Sequence, residues 1–196
     1  MMLRGLIVTF VAAALAAPAA AQTDHDAFAL TALRNYAACA VARTPEGAAK
    51  LLALDLGSDE YAKALKHYAK GHSYCAPQAR LKFGGLPFAG DLAEALIAQR
   101  FAGRSLEAVA AKVSEPAATS LIVAIGECVV RQRPAAVSAV LATEPGSATE
   151  LAALKPTGDV LPQCIPAGQT MALNKPAVRA IYALGAYSLL TQASDG

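Results

Sequence analysis

The sequence predicts an all-α protein made of two tandem helical repeats, each closed by its own disulfide. Three observations lead to this prediction. The chain is rich in Ala and Leu, a composition that favours closely packed helices. Apolar residues recur at three-to-four spacing in successive segments, several of which begin with a capping residue. Finally, the four cysteines recur with equal spacing in the two halves of the chain.

The cysteine spacing belongs to a longer internal repeat. Cys39 and Cys75 are 36 positions apart, and so are Cys128 and Cys164. When the chain is laid over itself without gaps at the offset between Cys39 and Cys128, residues that restrict the backbone coincide: Pro45 with Pro134, Gly57-Ser58 with Gly146-Ser147, Pro77 with Pro166, and Pro87 with Pro176. These matches indicate a tandem duplication.

The duplication favours one disulfide pairing. Four cysteines allow three pairings, and a duplicated chain favours the one that each repeat could form alone, Cys39–Cys75 and Cys128–Cys164. Each bridge would stabilise the fold by roughly 3 to 4 kcal/mol. The alternative is a zinc site made of cysteines, which usually requires closely spaced cysteine pairs that this sequence lacks. We therefore expect disulfides, with neither a metal nor another cofactor.

Residues 1–21 have the layout of a secretory signal peptide. Arg4 precedes an apolar run over 6–17, and Ala19-Ala20-Ala21 are small residues of the kind that signal peptidase accepts. We expect a mature protein in the periplasm or outside the cell, where disulfides persist, without a transmembrane segment after cleavage. An uncleaved membrane anchor is the alternative. The formal net charge of +2 is too small to favour binding to nucleic acid.

The mature chain is expected to have three parts: repeat 1 over 22–102, a linking helix over 103–114, and repeat 2 over 115–196. Within repeat 1 we expect four helices, over 26–41, 45–54, 58–71 and 87–101. Repeat 2 follows the same order, with a first helix from Pro116 and a capping box at Ser147-x-x-Glu150. Segments 80–83 and 169–173 alternate polar and apolar residues, so they could pair as one short two-stranded sheet.

Known catalytic signatures are absent from the sequence. It contains no G-x-S-x-G, H-E-x-x-H, phosphate-binding G-x-x-x-x-G-K-[ST] or dinucleotide-binding G-x-G-x-x-G motif. Asp91 and Glu94 lie three positions apart on one helix face, a pattern typical of solvated carboxylates. These features favour a protein that is not an enzyme.

Two pseudo-symmetric repeats could enclose a ligand cleft between them. The candidate ligand-binding residues all lie in repeat 1: Tyr36, Tyr61, Tyr68, His67 and His72. Repeat 2 has Pro156 and Leu161 in place of the two histidines. The alternative roles are core packing for the tyrosines and a solvated helix face for the histidines.

A pattern of motifs surrounds the first cysteine pair. Residues 35–48 read N-Y-A-x-C-[AV]-V-x-R-x-P-x-x-A, followed by L-x-x-x-x-G-S and C-x-P. This pattern resembles small exported alphaproteobacterial proteins of unknown function that carry tandem two-cysteine helical repeats. Repeat 2 departs from it at Ile125-Gly126-Glu127, which lacks the Asn-Tyr pair. The resemblance implies export and duplication, and it supplies no catalytic residues.

We therefore expect an exported, non-enzymatic protein that binds an envelope protein or a small ligand. The sequence does not indicate an oligomeric state. The alternative is an envelope-acting hydrolase whose site is assembled only in the fold. A deep pocket that gathers His67 or His72 with a carboxylate or a serine would favour the hydrolase.

Overall fold

The computed structural model describes residues 19–76, 85–113 and 118–195. Within these ranges the chain forms ten α-helices: α1 Ala19–Arg43, α2 Pro45–Leu52, α3 Asp59–Gly71, α4 Gly85–Arg100, α5 Leu106–Lys112, α6 Leu121–Gln132, α7 Pro134–Leu141, α8 Ala148–Leu154, α9 Leu161–Cys164 and α10 Lys175–Asp195. The same ranges contain no strand. The predicted all-α fold is confirmed.

The second strand of the predicted sheet is absent, because residues 169–173 form an irregular segment. Their alternating pattern has another cause. Met171 and Leu173 pack against the core of repeat 2, while the residues between and before them are exposed. One-sided burial of an irregular segment thus imitates the pattern of a strand. Residues 80–83 and Pro116 lie outside the described residues.

The two repeats agree in helix register as well as in sequence. Helices α2 and α7 correspond residue for residue at the repeat offset. Each is followed by a serine cap: the Ser58 hydroxyl accepts a hydrogen bond from the Tyr61 backbone N–H at 3.0 Å, and Ser147 accepts from Glu150 at 3.1 Å. Tyr61 and Glu150 therefore occupy equivalent places in the two repeats.

Both predicted disulfides are present. The Cα atoms of Cys39 and Cys75 are 5.8 Å apart, and those of Cys128 and Cys164 are 5.7 Å apart. One bridge ties α1 to a short 3-10 turn after α3, and the other ties α6 to α9. Each repeat is therefore closed by its own covalent link.

Removing either bridge by replacing both of its cysteines with Ala should lower the free energy of unfolding by roughly 3 to 4 kcal/mol. The two losses should be similar, because the bridged residues are equally far apart in sequence, 36 positions in each case. Urea unfolding of the two double variants measures them. Peptide mapping of the oxidised protein is the control, and a Cys39–Cys128 link would contradict the pairing.

Helix α10 lies at the centre of the fold, packed against α4 from repeat 1 and α6 from repeat 2. Glycines permit both approaches. A Cβ on Gly90 of α4 would lie 2.5 Å from Ala180 Cα, and a Cβ on Gly126 of α6 would overlap the carbonyl oxygen of Ile181. Because backbones meet without side chains between them, the α4–α10 contact joins the two repeats closely.

The hydrophobic cores of the two repeats meet at this centre. The core of repeat 1 is built around buried residues such as Phe88 and Leu92 of α4, and it also contains Val123 and Leu184 from repeat 2. The core of repeat 2 includes residues of α5, α6, α7 and α10. Among the described residues, no helix is long and apolar enough to cross a membrane.

Candidate functional site

Four of the five candidate ligand-binding residues lie inside repeat 1. Tyr36, Tyr61, Tyr68 and His72 are buried, whereas His67 is exposed on α3. The structure brings Tyr68 and His72 together, with ring centroids 4.3 Å apart. None of the five lines the crevice between the repeats that is described below. A ligand-binding role for them stays a prediction.

Two of the three buried candidate tyrosines of repeat 1 bond backbone carbonyls through their hydroxyl groups, whereas the Tyr68 hydroxyl accepts from Thr44 Oγ1 at 3.4 Å. Tyr36 donates to the carbonyl oxygen of Ala69 at 2.7 Å, and Tyr61 donates to that of Gly85 at 3.3 Å. Burial raises the pKa of Tyr61 to about 12, so its hydroxyl keeps its proton at neutral pH. These contacts tie α3 to its neighbours α1 and α4.

His72 forms a small polar cluster with Thr44, the residue before α2. Thr44 Oγ1 lies 2.7 Å from His72 Nε2, and His72 Nδ1 lies 2.7 Å from the carbonyl oxygen of Tyr68. Because a carbonyl can only accept, Nδ1 carries a proton. The order hydroxyl, imidazole, orienting acceptor is the one found in nucleophile–base pairs. Thr44 is exposed, and its side chain does not cap α2.

A crevice runs between the two repeats and consists of three adjoining cavities. The axial cavity, about 20 Å³, lies at the α4–α10 contact. The lateral groove, about 260 Å³, opens from it beside Asp91 and Glu94. The outer groove, about 520 Å³, shares Leu30, Glu150 and Pro176 with the axial cavity. Together they are called the inter-repeat crevice.

Arg179 of α10 forms the floor of the inter-repeat crevice and links the repeats. Its guanidinium binds both carboxylate oxygens of Glu94 on α4, at 2.6 and 2.8 Å, and Glu150 at 3.0 Å. It also donates to the carbonyl oxygens of Val140, Leu141 and Thr143 at the end of α7. Despite its burial, these carboxylates raise the pKa of Arg179. The ion pair is bidentate and almost wholly buried.

Arg34 of α1 extends this network to the surface. Its guanidinium lies 3.3 Å from Glu144, 3.6 Å from Glu94, and 3.3 Å from the carbonyl oxygen of Thr143. The segment between α7 and α8 is thus held by arginines from both repeats. It is also held from within, because Glu150 accepts from the Gly146 backbone N–H at 2.8 Å.

Asp91 is the carboxylate of the crevice that this network does not bond. It is 9 % exposed and lines both the axial cavity and the lateral groove. Within the described residues it makes no hydrogen bond or ion pair. Burial and the nearby charge of Glu94 raise the pKa of Asp91 to about 7, against the opposing effect of Arg179 and Arg34. The spacing of Asp91 and Glu94 predicts two solvated carboxylates, but the structure buries both of them.

Replacing Asp91 with Asn should stabilise the protein more at pH 8 than at pH 5. The raised pKa means that the folded protein binds the Asp91 proton more tightly than the unfolded chain does. The contribution of Asp91 to the free energy of unfolding therefore falls as pH rises from about 4 to about 7, by at most about 1.4 kcal/mol per pH unit.

Urea unfolding of Asp91→Asn and of the unsubstituted protein at both pH values measures this difference. The comparison between the two proteins cancels the titration of the other carboxylates. An equal gain at pH 5 and pH 8 would show that Asp91 has an ordinary pKa.

Glu127 is a second buried carboxyl group, located in repeat 2 on α6. It is 0 % exposed, and its Oε1 accepts from the Ser188 hydroxyl at 2.7 Å and from the Gln192 amide at 2.8 Å. Its Oε2 has no hydrogen-bond partner among the described residues. Burial raises the pKa of Glu127. Glu127 belongs to Ile125-Gly126-Glu127, the segment in which repeat 2 lacks the Asn-Tyr pair that precedes Cys39 in repeat 1.

Sequence reasoning did not single out Arg179, Glu150 or Arg34 as site residues. One signal was present: α4 and α10 are mostly apolar, and charges on such helices tend to lie inside a protein. The described ranges contain no group of three His, Cys, Asp or Glu side chains placed to hold a metal ion. Protein-family models, curated proteins and solved structures give no match to the chain.

Proposed function

We propose that this chain is an exported, non-enzymatic protein that binds a small ligand in the inter-repeat crevice. The observation that carries the proposal is the composition of the lateral groove. Charged groups of Asp91, Glu94 and Arg34 stand there among the apolar side chains of Ala38, Ala95, Ile97, Ala98 and Leu141. Ligand sites commonly combine apolar walls with a few polar groups and lie between structural units.

The network beneath the crevice supports binding because it fixes the site in advance. Glu94 is held by two hydrogen bonds from Arg179, which is in turn held by three backbone carbonyls. Side chains that are already immobile lose little entropy when a ligand binds. An envelope protein is the other expected partner, but the volume of the lateral groove, about 260 Å³, and its charged groups suit a small molecule better.

Export is supported by the signal-like residues 1–21 and by two disulfides, which persist in oxidising compartments. Cell fractionation should find the protein outside the cytoplasm, in the periplasm or the medium. Mass spectrometry of the isolated protein should give Gln22 as its first residue. Retention of the full chain in the cytoplasm would contradict export.

Filling the lateral groove tests the binding site. Ala98 is exposed and borders the groove, so Ala98→Trp should occupy it without disturbing the core. Native mass spectrometry of protein isolated from its own extract should detect a small molecule on the unsubstituted chain and lose it on Ala98→Trp. Ala62→Trp, at an exposed position on α3, is the matched control and should keep it. A ligand that stays on Ala98→Trp would refute the crevice as the site.

A second candidate function, the envelope hydrolase, is favoured by the pair Thr44–His72. A nucleophilic Thr44 would give a burst of product from 4-nitrophenyl acetate. Thr44→Val and His72→Gln would abolish that burst, whereas Thr44→Ser would retain it. The binding proposal expects no burst, and the same slow background rate from all four proteins.

A further inference from the structure

We propose that the inter-repeat crevice binds a primary alkylammonium group, with the Asp91 carboxylate as its counter-charge. The inference rests on the proposed function and names the class of ligand. Around the axial cavity and the lateral groove, the guanidinium groups of Arg34 and Arg179 face three carboxylates, of Asp91, Glu94 and Glu150. At the exposed rim, Glu144 pairs with Arg34, and Lys175 lines the outer groove.

The bonding pattern shows which carboxylate lacks a positively charged partner. Arg179 binds Glu94 and Glu150, and Arg34 binds Glu144. Asp91 is left without a hydrogen bond or ion pair within the described residues, although more than nine-tenths of it is buried. The Asp91 carboxylate oxygens keep some contact with solvent in the crevice, and a bound cation there would offset their partial loss of hydration.

The small volume of the cavity beside Asp91 favours a compact cation. The axial cavity measures about 20 Å³, which is room for a group of about the size of one water molecule. An ammonium group is a compact charge with three donors, whereas a guanidinium is larger and planar. Carboxylates of Asp91, Glu94 and Glu150 border this cavity together with Arg179. Arg179 is already paired with Glu94 and Glu150, so the Asp91 carboxylate is the acceptor left for an ammonium group.

The lateral groove accounts for the rest of the ligand. Its walls consist of three alanines with Ile97 and Leu141, and it continues directly from Asp91. These methyl-lined walls suit a short alkyl chain, which gains free energy when its surface leaves water. An anionic ligand would meet three carboxylates and one guanidinium, of Arg179, at the axial cavity, and this net negative charge disfavours it.

Titration with n-butylammonium, followed by two-dimensional NMR of the mature protein, tests this proposal. Saturable shifts should appear at backbone amides of 34–38 and 91–98, while n-butanol and butyrate should cause none there. Asp91→Asn should weaken binding at least about tenfold, the loss of one ionic hydrogen bond of about 1.4 kcal/mol or more. The control Asp159→Asn, which alters an exposed pair with Arg133, should leave the affinity unchanged.

Affinity should also fall as pH is lowered, approaching tenfold per pH unit once Asp91 is protonated in the free protein. The groups facing it are Glu94 on its own helix, Arg34 of α1, Arg179 of α10 and Glu150 of α8. Glu94 and Glu150 are each paired with the guanidinium of Arg179. An affinity that does not change between pH 8 and pH 5 would overturn the role of Asp91.

The outcomes of these experiments separate the ligand class from the proposed function. If n-butanol binds as well as n-butylammonium, or Asp91→Asn binds equally, the ammonium proposal is wrong while the crevice stands. The same holds if n-butylammonium does not bind although a natural ligand is lost from Ala98→Trp. If Ala98→Trp keeps the natural ligand, the proposed site itself is wrong. Asp91→Asn removes a buried charge, so the variant should fold.

Discussion

Replacing Arg179 with Met should lower the free energy of unfolding by about 3 to 5 kcal/mol, the range for breaking a buried ion pair by removing one partner. The substitution leaves Glu94 and Glu150 buried without their shared counter-charge. It also removes the donors for three carbonyl groups at the end of α7. Urea unfolding at pH 7 measures the loss.

Two further variants decide the cause of this loss. Arg104→Met removes an exposed arginine that bonds Ser194 and should change stability by less than about 0.5 kcal/mol. Adding Glu94→Gln and Glu150→Gln to Arg179→Met should restore much of the stability, because the two carboxylates that lost their counter-charge are then neutral amides. If the triple variant is no better than Arg179→Met, lost packing is the dominant effect instead.

Replacing Gly126 with Ala should destabilise the protein by about 3 kcal/mol, the upper part of the usual range for overpacking a core. The new Cβ would overlap the Ile181 carbonyl oxygen and lie 2.9 Å from the backbone nitrogen of Gly185. These are backbone atoms of α10, so relief requires α6 and α10 to separate. Thermal and urea unfolding of the variant measure the effect.

Gly71→Ala is the matched control for this helix-to-helix contact. Gly71 also lies in an α-helix, and a Cβ there would meet nothing within 4 Å. The change should be neutral or stabilise by up to about 1 kcal/mol, since Ala is the better helix former. A loss of stability in Gly71→Ala comparable with that of Gly126→Ala would mean that the close approach of α6 and α10 is not the cause.

The features that sequence predicts well here are those encoded by local chemistry or by spacing. Ser58 and Ser147 mark helix starts because their hydroxyls satisfy N–H groups three residues later. The disulfide pairing follows from equal spacing in two copies. In contrast, the irregular segment 169–173 has the alternation of a strand but no partner in the described chain, and tertiary packing alone decides its conformation.

The charged site was not predictable in the same way, because its members are far apart in the sequence. Arg179 meets Glu94 across 85 positions and Glu150 across 29. No motif spans such distances. Asp91 and Glu94 have the spacing of a solvated pair, and only the packing of α10 on α4 places them inside. Tyr36, Tyr61 and Tyr68 are candidates for ligand binding in the sequence because they are aromatic, but packing buries them inside repeat 1.

The charged contacts between the two repeats have a consequence for fragments of this protein. The N-terminal repeat carries Arg34, Asp91 and Glu94 into the contact, and the C-terminal repeat carries Arg179, Glu144 and Glu150. If the chain were cut at the exposed turn around Gly103, two N-terminal fragments would face each other without Arg179. Unlike halves would therefore associate in preference to like halves, which makes this duplicated fold suited to split-protein complementation.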